Sequence, residues 1–346
     1  MKVNITTLLL VFSFLVLNGC SKATTPQQAD IAVFEQFLSE NPISSINPSI
    51  DIASIYRPGD PLFKAVLGIQ RKRLDIAEKE LTPLAKNKQP EAMFWLAKVI
   101  YRSGINDKAK AYDLLRVSAE SYPYSAMALS SNDEQCQMYF PSKCSKEWTK
   151  KARNLFAEQA KTGDVRAVYY STILKPDLTH EQYINAIINA AKNHYYYPLV
   201  EYSNLIINEK NPDKDMENIA VKLLNYARYQ NFVPAIESLM DYEGKYDRTN
   251  SKLFNQLIEQ GMTVGSNAAW KGYQLYSYKS SSLSDTQKYI SAKATKYFNG
   301  DDFTISITHP PKDKEALISA NKKAQEKADS VKKVIYIDGA HPRVFY

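Results

Sequence analysis

Residues 92–126 read AMFWLAKVIYRSGINDKAKAYDLLRVSAESYPYSA, and they contain one full unit of a pattern that recurs along the chain. Two small residues with six residues between them, Ala119 and Ala126, lie at the end of this stretch. The same spacing occurs at Ala85 and Ala92, Ala160 and Ala167, Ala191 and Pro198, Ala227 and Pro234, and Gly261 and Ala268. The first members are 34, 41, 31, 36 and 34 residues apart, a period typical of stacked helical repeats.

An apolar residue precedes each first member by four positions. These residues are Leu81, Leu115, Phe156, Ile187, Leu223 and Leu257. Residues four apart share one face of a helix, so each unit ends in a helix that presents both residues to a neighbour. In the turn that follows, Gly163 is a candidate left-handed C-cap and Asp164 a candidate N-cap. Because one such helix pair cannot bury its apolar face alone, we predict an all-α fold, an α-solenoid of about seven helix-turn-helix repeats.

The unit in residues 92–126 resembles the Sel-one-like repeat, a relative of the tetratricopeptide repeat. The matching positions are Ala92, Leu96-Ala97, Tyr101 and Gly104, Asp107-Lys108-Ala109, Ser118-Ala119 and Ala126. The resemblance covers roughly residues 60–298 and becomes degenerate in the later units, where Pro198 and Pro234 replace alanine. Proline is tolerated in the first turn of a helix, where no amide hydrogen is needed. The resemblance implies that the protein binds another macromolecule.

The first twenty residues have the pattern of an export signal. Lys2 precedes an apolar run of ten residues, Leu8 to Leu17, which is too short to span a bilayer as a helix. The run ends in Leu17-Asn18-Gly19-Cys20, which resembles the lipobox of bacterial lipoproteins. This resemblance implies a signal peptide over residues 1–19 and lipidation of Cys20. Because Ser21 replaces the aspartate that signals inner-membrane retention, we expect an outer-membrane lipoprotein that faces the periplasm.

Basic residues exceed acidic ones by a formal charge of +7 among 346 residues. A mild basic excess suits an acidic protein partner or a membrane surface, and we expect the lipid anchor to provide the membrane contact. The expected compartment argues against nucleic acid as a partner. It is also oxidising, so Cys136 and Cys144 are predicted to form a disulfide in an inserted loop. A metal site would need further His or Cys ligands within that loop, which has none.

Residues 20–59 are interpreted as a tether, over Ser21–Ala29, followed by a short helix at 30–40 and a proline-rich wrap. The repeats occupy residues 60–299. Residues 300–346 are interpreted as a small C-terminal capping segment, with strands predicted at Phe303–Ile307 and Val334–Ile337 around a lysine-rich helix at Lys312–Lys333. An alternative is that this tail, ending in Val344-Phe345-Tyr346, docks a partner.

Motifs for catalysis are weak. Gly261 to Gly265 has the spacing of a nucleophile elbow with Thr263 in place of serine, but it falls in a predicted helix-to-helix turn rather than after a strand. His180-Glu181 begins like a zinc-protease helix, but Ile184 occupies the position of the second ligand. We therefore expect no catalytic residue, no metal, no cofactor and no small-molecule substrate.

Tyrosine is abundant, with 24 residues, and many lie in the turns and first helices of the later units. Tyrosine combines a large rigid contact area with a hydrogen-bonding tip, as binding hot spots require. The alternative is that these rings fill the core. Adjacent residues Tyr195, Tyr196 and Tyr197 are not expected all to point inward, so at least one should be exposed. The candidate partner-binding residues are Tyr169, Tyr170, Tyr195, Tyr196, Tyr197, Tyr202, Tyr242 and Tyr273.

Two biological roles fit a lipid-anchored repeat protein. The chain resembles the immunity proteins that neutralise periplasm-targeted phospholipase effectors of type VI secretion, which would make a secreted lipase the partner. It also resembles the scaffold lipoproteins of exopolysaccharide export machines, although these tend to contain more repeats. An enzyme and a cell-wall spacer are the remaining alternatives.

Replacing Cys20 with serine should abolish lipidation, because the sulfur atom is the expected site of attachment. Radiolabelled palmitate should then no longer be incorporated, and the protein should leave the membrane fraction. The double variant Cys136→Ser and Cys144→Ser is the matched control and should keep its label. Equal labelling of Cys20→Ser and wild type would contradict the lipobox interpretation.

Overall fold

A computed structural model describes residues 22–101 and 104–342 of the chain. Within these ranges the protein is all-helical, with 17 α-helices and no β-strand, as the repeat pattern predicted. The signal segment 1–19, Cys20 and Val344-Phe345-Tyr346 lie outside the described residues. None of the described helices is both long and apolar enough to cross a bilayer.

Fourteen of these helices form seven hairpins that follow one another along the chain, in agreement with the expected number of repeats. The hairpins are α2 (Phe63–Gln70) with α3 (Leu74–Lys86), α4 (Pro90–Ile100) with α5 (Ile105–Ser118), α6 (Pro123–Ala128) with α8 (Lys146–Ala160), α9 (Val165–Ile173) with α10 (His180–Lys192), α11 (Tyr197–Ile207) with α12 (Lys214–Tyr229), α13 (Val233–Lys245) with α14 (Lys252–Thr263), and α15 (Asn267–Lys279) with α16 (Asp285–Asn299). Each helix packs against the next one in this order, which is the connectivity of a helical solenoid.

Three helices lie outside the hairpins. These are α1 (Asp30–Glu40), which packs on α12, α7 (Glu134–Tyr139), which lies in the insertion between α6 and α8, and α17 (Lys314–Asp329), which packs along α16. The buried stripe of α17 contains Ala320, Ala324 and Ala328, so the lysine-rich helix is confirmed together with its apolar face. The sulfur atoms of Cys136 and Cys144 are 2.04 Å apart, at disulfide distance.

The small-residue spacing marks the junction between one hairpin and the next. At each junction the first member lies at the end of a second helix, and the apolar residue four positions earlier is buried at 3% exposure or less. At the sixth junction our register is wrong by one residue. Ala268 is exposed, whereas Ala269 is buried, and a Cβ added to Gly261 would lie 2.6 Å from the Cβ of Ala269. The absence of a side chain at Gly261 therefore allows α14 and α15 to approach closely.

Left-handed residues end the helices at five of the six junctions. Gly163 has φ +83°, and the Asp164 carboxylate accepts hydrogen bonds from the amides of Arg166 and Ala167, so the cap assignment at this turn is confirmed. Lys88 and Asn231 have positive φ in the corresponding turns, although neither is glycine. After Lys88 and after Asn231 the next amide bonds the carbonyl five residues earlier, which satisfies orphaned groups at the helix end.

The two ends of the helical array meet. The Asn267 side chain in α15 donates to the Gln70 carbonyl oxygen at the end of α2, at 2.6 Å. The Arg71 guanidinium lies over the Phe298 ring of α16, 5.0 Å from its centroid. The first and last hairpins are therefore in direct contact, and α17 of the predicted capping segment packs along α16 of the last hairpin.

The N-terminal residues pack more tightly than a tether would. From Lys22 onward they are held on the helices, where the Ala23 carbonyl oxygen lies 2.8 Å from Nδ1 of His180 and Asp30 is buried 2.6 Å from its Nε2. The flexible tether expected for Ser21–Ala29 is therefore wrong for the described part of that segment. The wrap is confirmed as an ordered loop, because Asn47 bonds the α12–α13 turn and Tyr56 bonds Glu91 of α4.

Neither predicted C-terminal strand forms. At Phe303–Ile307 the chain makes a 3-10 turn over Ile305–Ile307, and the Asp301 carboxylate accepts the Phe303 amide in a local turn. Residues 334–337 are extended, but all four are buried and no neighbouring strand pairs with them. Their backbone groups bond instead to the side chains and backbone of residues from other parts of the fold.

Replacing Gly163 with alanine should lower the free energy of unfolding by about 1 kcal/mol, because alanine strains at this left-handed φ. No atom lies within 4 Å of the added Cβ, so the effect isolates backbone conformation. Gly244→Ala is the matched control: it also has open space around the new methyl group but lies in helix α13. It should stabilise the protein by roughly 0.5 kcal/mol. Urea denaturation measures both changes, and equal effects would contradict the junction geometry.

Candidate functional site

The chain's own C-terminal segment, residues 331–342, occupies the inner face of the array, the side formed by the first helices of the hairpins. The Gln70 side chain of α2 donates to the Val334 carbonyl oxygen at 2.8 Å and accepts the Tyr336 amide at 2.9 Å. Further along, the backbone at Gly339 lies so close to α6 that an added Cβ would be 2.3 Å from Tyr124 Cγ. The candidate tyrosines were predicted to present the turns and first helices to a partner. A segment of the same chain therefore occupies the surface expected to bind that partner.

A chain of polar contacts fixes the end of this segment. The buried Asp338 carboxylate accepts the Tyr195 hydroxyl at 2.8 Å, and the Tyr170 hydroxyl lies 3.3 Å from that of Tyr195. The His341 ring bonds Asp338 through Nδ1 and Glu201 through Nε2, each at 2.8 Å. Every charge in this cluster thus has a partner, which a buried charge requires.

The cluster keeps both partners charged near neutral pH. Burial by itself would lower the pKa of His341, but the carboxylates of Asp338 and Glu201 raise it to about 10. Burial would raise the pKa of Asp338, but His341, the Tyr195 hydroxyl and a backbone amide together hold it below its ordinary value. The His341 ring also stacks on Tyr197, with ring centroids 3.6 Å apart.

Six of the eight candidate partner-binding tyrosines are core residues. They are Tyr169, Tyr170, Tyr195, Tyr196, Tyr197 and Tyr202, all 6% exposed or less. Our expectation that one of Tyr195, Tyr196 and Tyr197 is exposed is wrong. All three rings are covered because other segments pack on both sides of the α10–α11 turn. The C-terminal segment contacts Tyr195 and Tyr197, and α12 contacts Tyr196.

The remaining two tyrosines lie nearer the surface. Tyr242 is covered by Arg248, whose guanidinium carbon lies 5.0 Å from the ring centroid and 4.9 Å from that of Tyr246. Arg248 is itself paired with Glu243 at 2.8 Å. The faces of these two rings are therefore occupied by an internal contact, whereas Tyr273, which is also half-buried, lines a groove.

Tyr273 lines a groove between α14, α15 and α17, which we call the α15 groove. Its volume is about 790 Å³. The apolar lining residues are Phe254, Ile258, Met262, Trp270, Tyr273, Tyr276 and Val331, and the polar ones are Thr249, Asn250, Asn255, Glu259, Thr263, Lys327 and Ser330. Tyr276 is 66% exposed, which is unusual for so large an aromatic side chain. Aromatic side chains of this kind are enriched at binding hot spots.

Lys327 is the cation of the α15 groove and lies against Tyr273. Its Nζ donates to the Tyr273 hydroxyl and lies 3.8 Å from the ring centroid. Burial would raise the pKa of Tyr273, but hydrogen bonds from Lys327, Ser291 and Ser277 outweigh it and lower the pKa. The ammonium group beside this hydroxyl favours an anionic ligand.

A second groove of about 670 Å³ lies beside the first, between the wrap and helices α12 and α14. Its cation, Arg228, already donates to Asn225 at 2.8 Å and lies over the Tyr229 ring, 4.7 Å from the centroid. Because Glu259 lines both grooves, it stands on the ridge between them. The cation of the second groove is therefore less available to a ligand than the cation of the α15 groove.

The weak catalytic motifs have local structural roles. The Thr263 hydroxyl, at the last residue of α14, donates to the Glu259 carbonyl oxygen at 3.0 Å. His180 is used in holding Ala23 and Asp30. Within residues 22–101 and 104–342, no group of three or more His, Cys, Asp or Glu side chains is arranged to hold a metal ion.

Comparison with known proteins gives no relative for this chain. No protein-family model, no curated protein and no solved structure matches it. The case for a function therefore depends on the geometry of the grooves and of the filled inner face.

Sequence reasoning did not identify the importance of Lys327. It lies in the lysine-rich helix, for which the sequence analysis singled out no individual lysine. One feature of the sequence could have singled it out: Lys327 is next to Ala328, at the edge of the buried alanine stripe. A lysine at such an edge can lie against the neighbouring helix. Tyr276 lies three residues after Tyr273 in α15, and residues three apart are neighbours on a helix surface.

Replacing His341 with glutamine should lower the free energy of unfolding by about 2 kcal/mol at pH 6, because Asp338 and Glu201 lose a charged partner. The wild-type contribution of His341 is complete below its unfolded pKa of 6.5 and is lost as the pH rises towards 10. The difference between the two proteins should therefore shrink steadily from pH 6.5 to pH 10. Urea denaturation across this range measures it, with the exposed His309→Gln variant as control. A difference independent of pH would contradict the charged state of His341.

Proposed function

We propose that this protein is a non-catalytic, lipid-anchored binding protein of the periplasm and that its partner is a protein. The observation that carries the proposal is the α15 groove. It is an aromatic, partly polar depression on a scaffold whose inner face is already filled. Its lining resembles the centre of a protein interface, where aromatic residues and an occasional cation are enriched and most other charges are depleted.

The rigidity of the scaffold supports this role. The C-terminal segment joins α2, α6 and α11, and the first and last hairpins touch. A closed array of this kind presents its outer grooves in a fixed geometry, so little conformational entropy is lost when a partner binds.

Within the class of binding proteins, we propose immunity against a periplasm-targeted phospholipase effector, with the groove contacting the lipase. The filled inner face supports immunity over an export scaffold, because a scaffold of stacked repeats uses an extended open surface to join several components. An immunity protein needs only one surface that fits one enzyme. The N-terminal lipobox resemblance would place the protein in the compartment where such an enzyme acts.

The immunity proposal is tested by deleting the gene with and without an adjacent phospholipase gene. The single deletion should impair growth and release membrane phospholipid when the lipase is active, whereas deletion of both genes should restore growth. A variant lacking residues 2–19 should stay in the cytoplasm and fail to complement. Normal growth of the single deletion beside an active lipase would contradict immunity, and loss of surface polysaccharide would favour the scaffold instead.

A further inference from the structure

The α15 groove has two chemically different parts. Its floor is apolar and rigid, since the Trp270 indole donates to the Met262 carbonyl oxygen at 3.1 Å and stacks on Phe298 with centroids 4.7 Å apart. Its remaining lining contains side-chain amides and hydroxyls, among them Asn250 and Asn255. A floor of this kind suits an apolar side chain, and amides and hydroxyls beside it can bond a peptide backbone.

The charge of Lys327 is not neutralised within the protein. Among the described residues no carboxylate oxygen lies within 4.0 Å of its Nζ, which donates instead to the Tyr273 hydroxyl. Other lysines of the array are paired, such as Lys64 with Glu80 and Lys222 with Glu35. The ammonium group has three N–H donors and uses one for Tyr273, so at the edge of an apolar floor it can offer the other two to an anionic group.

We propose that the α15 groove binds a segment of the partner protein in which an aspartate or glutamate adjoins a large apolar side chain. This inference rests on the proposed function, since it names the chemistry of the partner at the proposed site. The carboxylate accepts from Lys327 Nζ, which its bond to the Tyr273 hydroxyl holds at the edge of the groove. The apolar side chain lies on Trp270 and Met262, with Tyr276 closing over it.

The polar residues that line the groove favour a peptide segment over a lipid chain. An acyl chain is best enclosed by apolar walls, whereas seven of the fifteen lining residues here are polar: Thr249, Asn250, Asn255, Glu259, Thr263, Lys327 and Ser330. These groups can satisfy the backbone N–H and C=O groups that a bound peptide brings and an acyl chain lacks. The negative charge of Glu259 on the far ridge also orients the acidic residue of the segment towards Lys327.

The inference is tested by selecting random dodecapeptides displayed on phage against the full mature protein. The enriched sequences should combine aspartate or glutamate with a neighbouring aromatic residue, leucine or methionine. A selected peptide, blocked at both ends, is then titrated against purified variants by fluorescence anisotropy. Lys327→Gln should weaken binding about tenfold, the effect expected for one charged hydrogen bond. Tyr273→Phe should weaken it less, and replacing the acidic residue of the peptide with its amide should match Lys327→Gln.

Lys323→Gln is the matched control, because it removes the same charge from the exposed side of the same helix. It should change the affinity less than twofold. Enriched peptides without an acidic residue, or equal affinities for wild type and Lys327→Gln, would overturn the inference. So would displacement of the peptide by oleate, which would indicate a lipid site. These results are independent of the deletion experiment, so failure of the immunity proposal and failure of the peptide chemistry can be told apart.

Discussion

The structure depends on the close approach of helices at the hairpin junctions. Small residues such as Ala85, Ala119 and Gly261 remove the side-chain volume that would separate one hairpin from the next, and left-handed turns reverse the chain in a few residues. Repeating this geometry at six junctions brings the first hairpin against the last. Loss of close packing at one junction would therefore displace every later hairpin and open the contact between Asn267 and Gln70.

The contact between the first and last hairpins also explains why the C-terminal segment lies in the interior. Once the ends meet, the first helices face an interior that contains tyrosine hydroxyls and Glu201, which need partners. The segment supplies them through Asp338 and His341, together with a run of apolar residues from Val334 to Ile337 that is 2% exposed or less. Because the interior is used in this way, the surface available to a partner is on the outside, where α14, α15 and α17 form a groove with an unneutralised lysine.

The sequence predicts the local architecture well and the long-range contacts poorly. The spacing of Ala160 and Ala167 determines where helices end and begin, because it depends on residues within one junction. The buried positions of Tyr195, Tyr196 and Tyr197 depend on the C-terminal segment, about 140 positions away in sequence, and no periodic signal marks that contact. The apolar run Val334–Ile337 was interpreted as a strand for the same reason. It is hydrophobic because it crosses the interior, and its backbone partners are Gln70 and Ser54.

In the candidate site, too, the sequence predicts a local feature but not a long-range contact. Tyr273 was identified from composition, whereas Lys327 was not, because its contact with Tyr273 joins residues 54 positions apart and no periodic signal marks it. Hydrogen–deuterium exchange of the mature protein, read by mass spectrometry on a peptide covering residues 333–342, tests closure over the C-terminal segment most directly. The account predicts protection of the amides of Ile335, Tyr336, Ala340 and His341, all hydrogen-bonded in the interior, comparable with that of helix α11. Exchange at the rate of an unstructured peptide would contradict it.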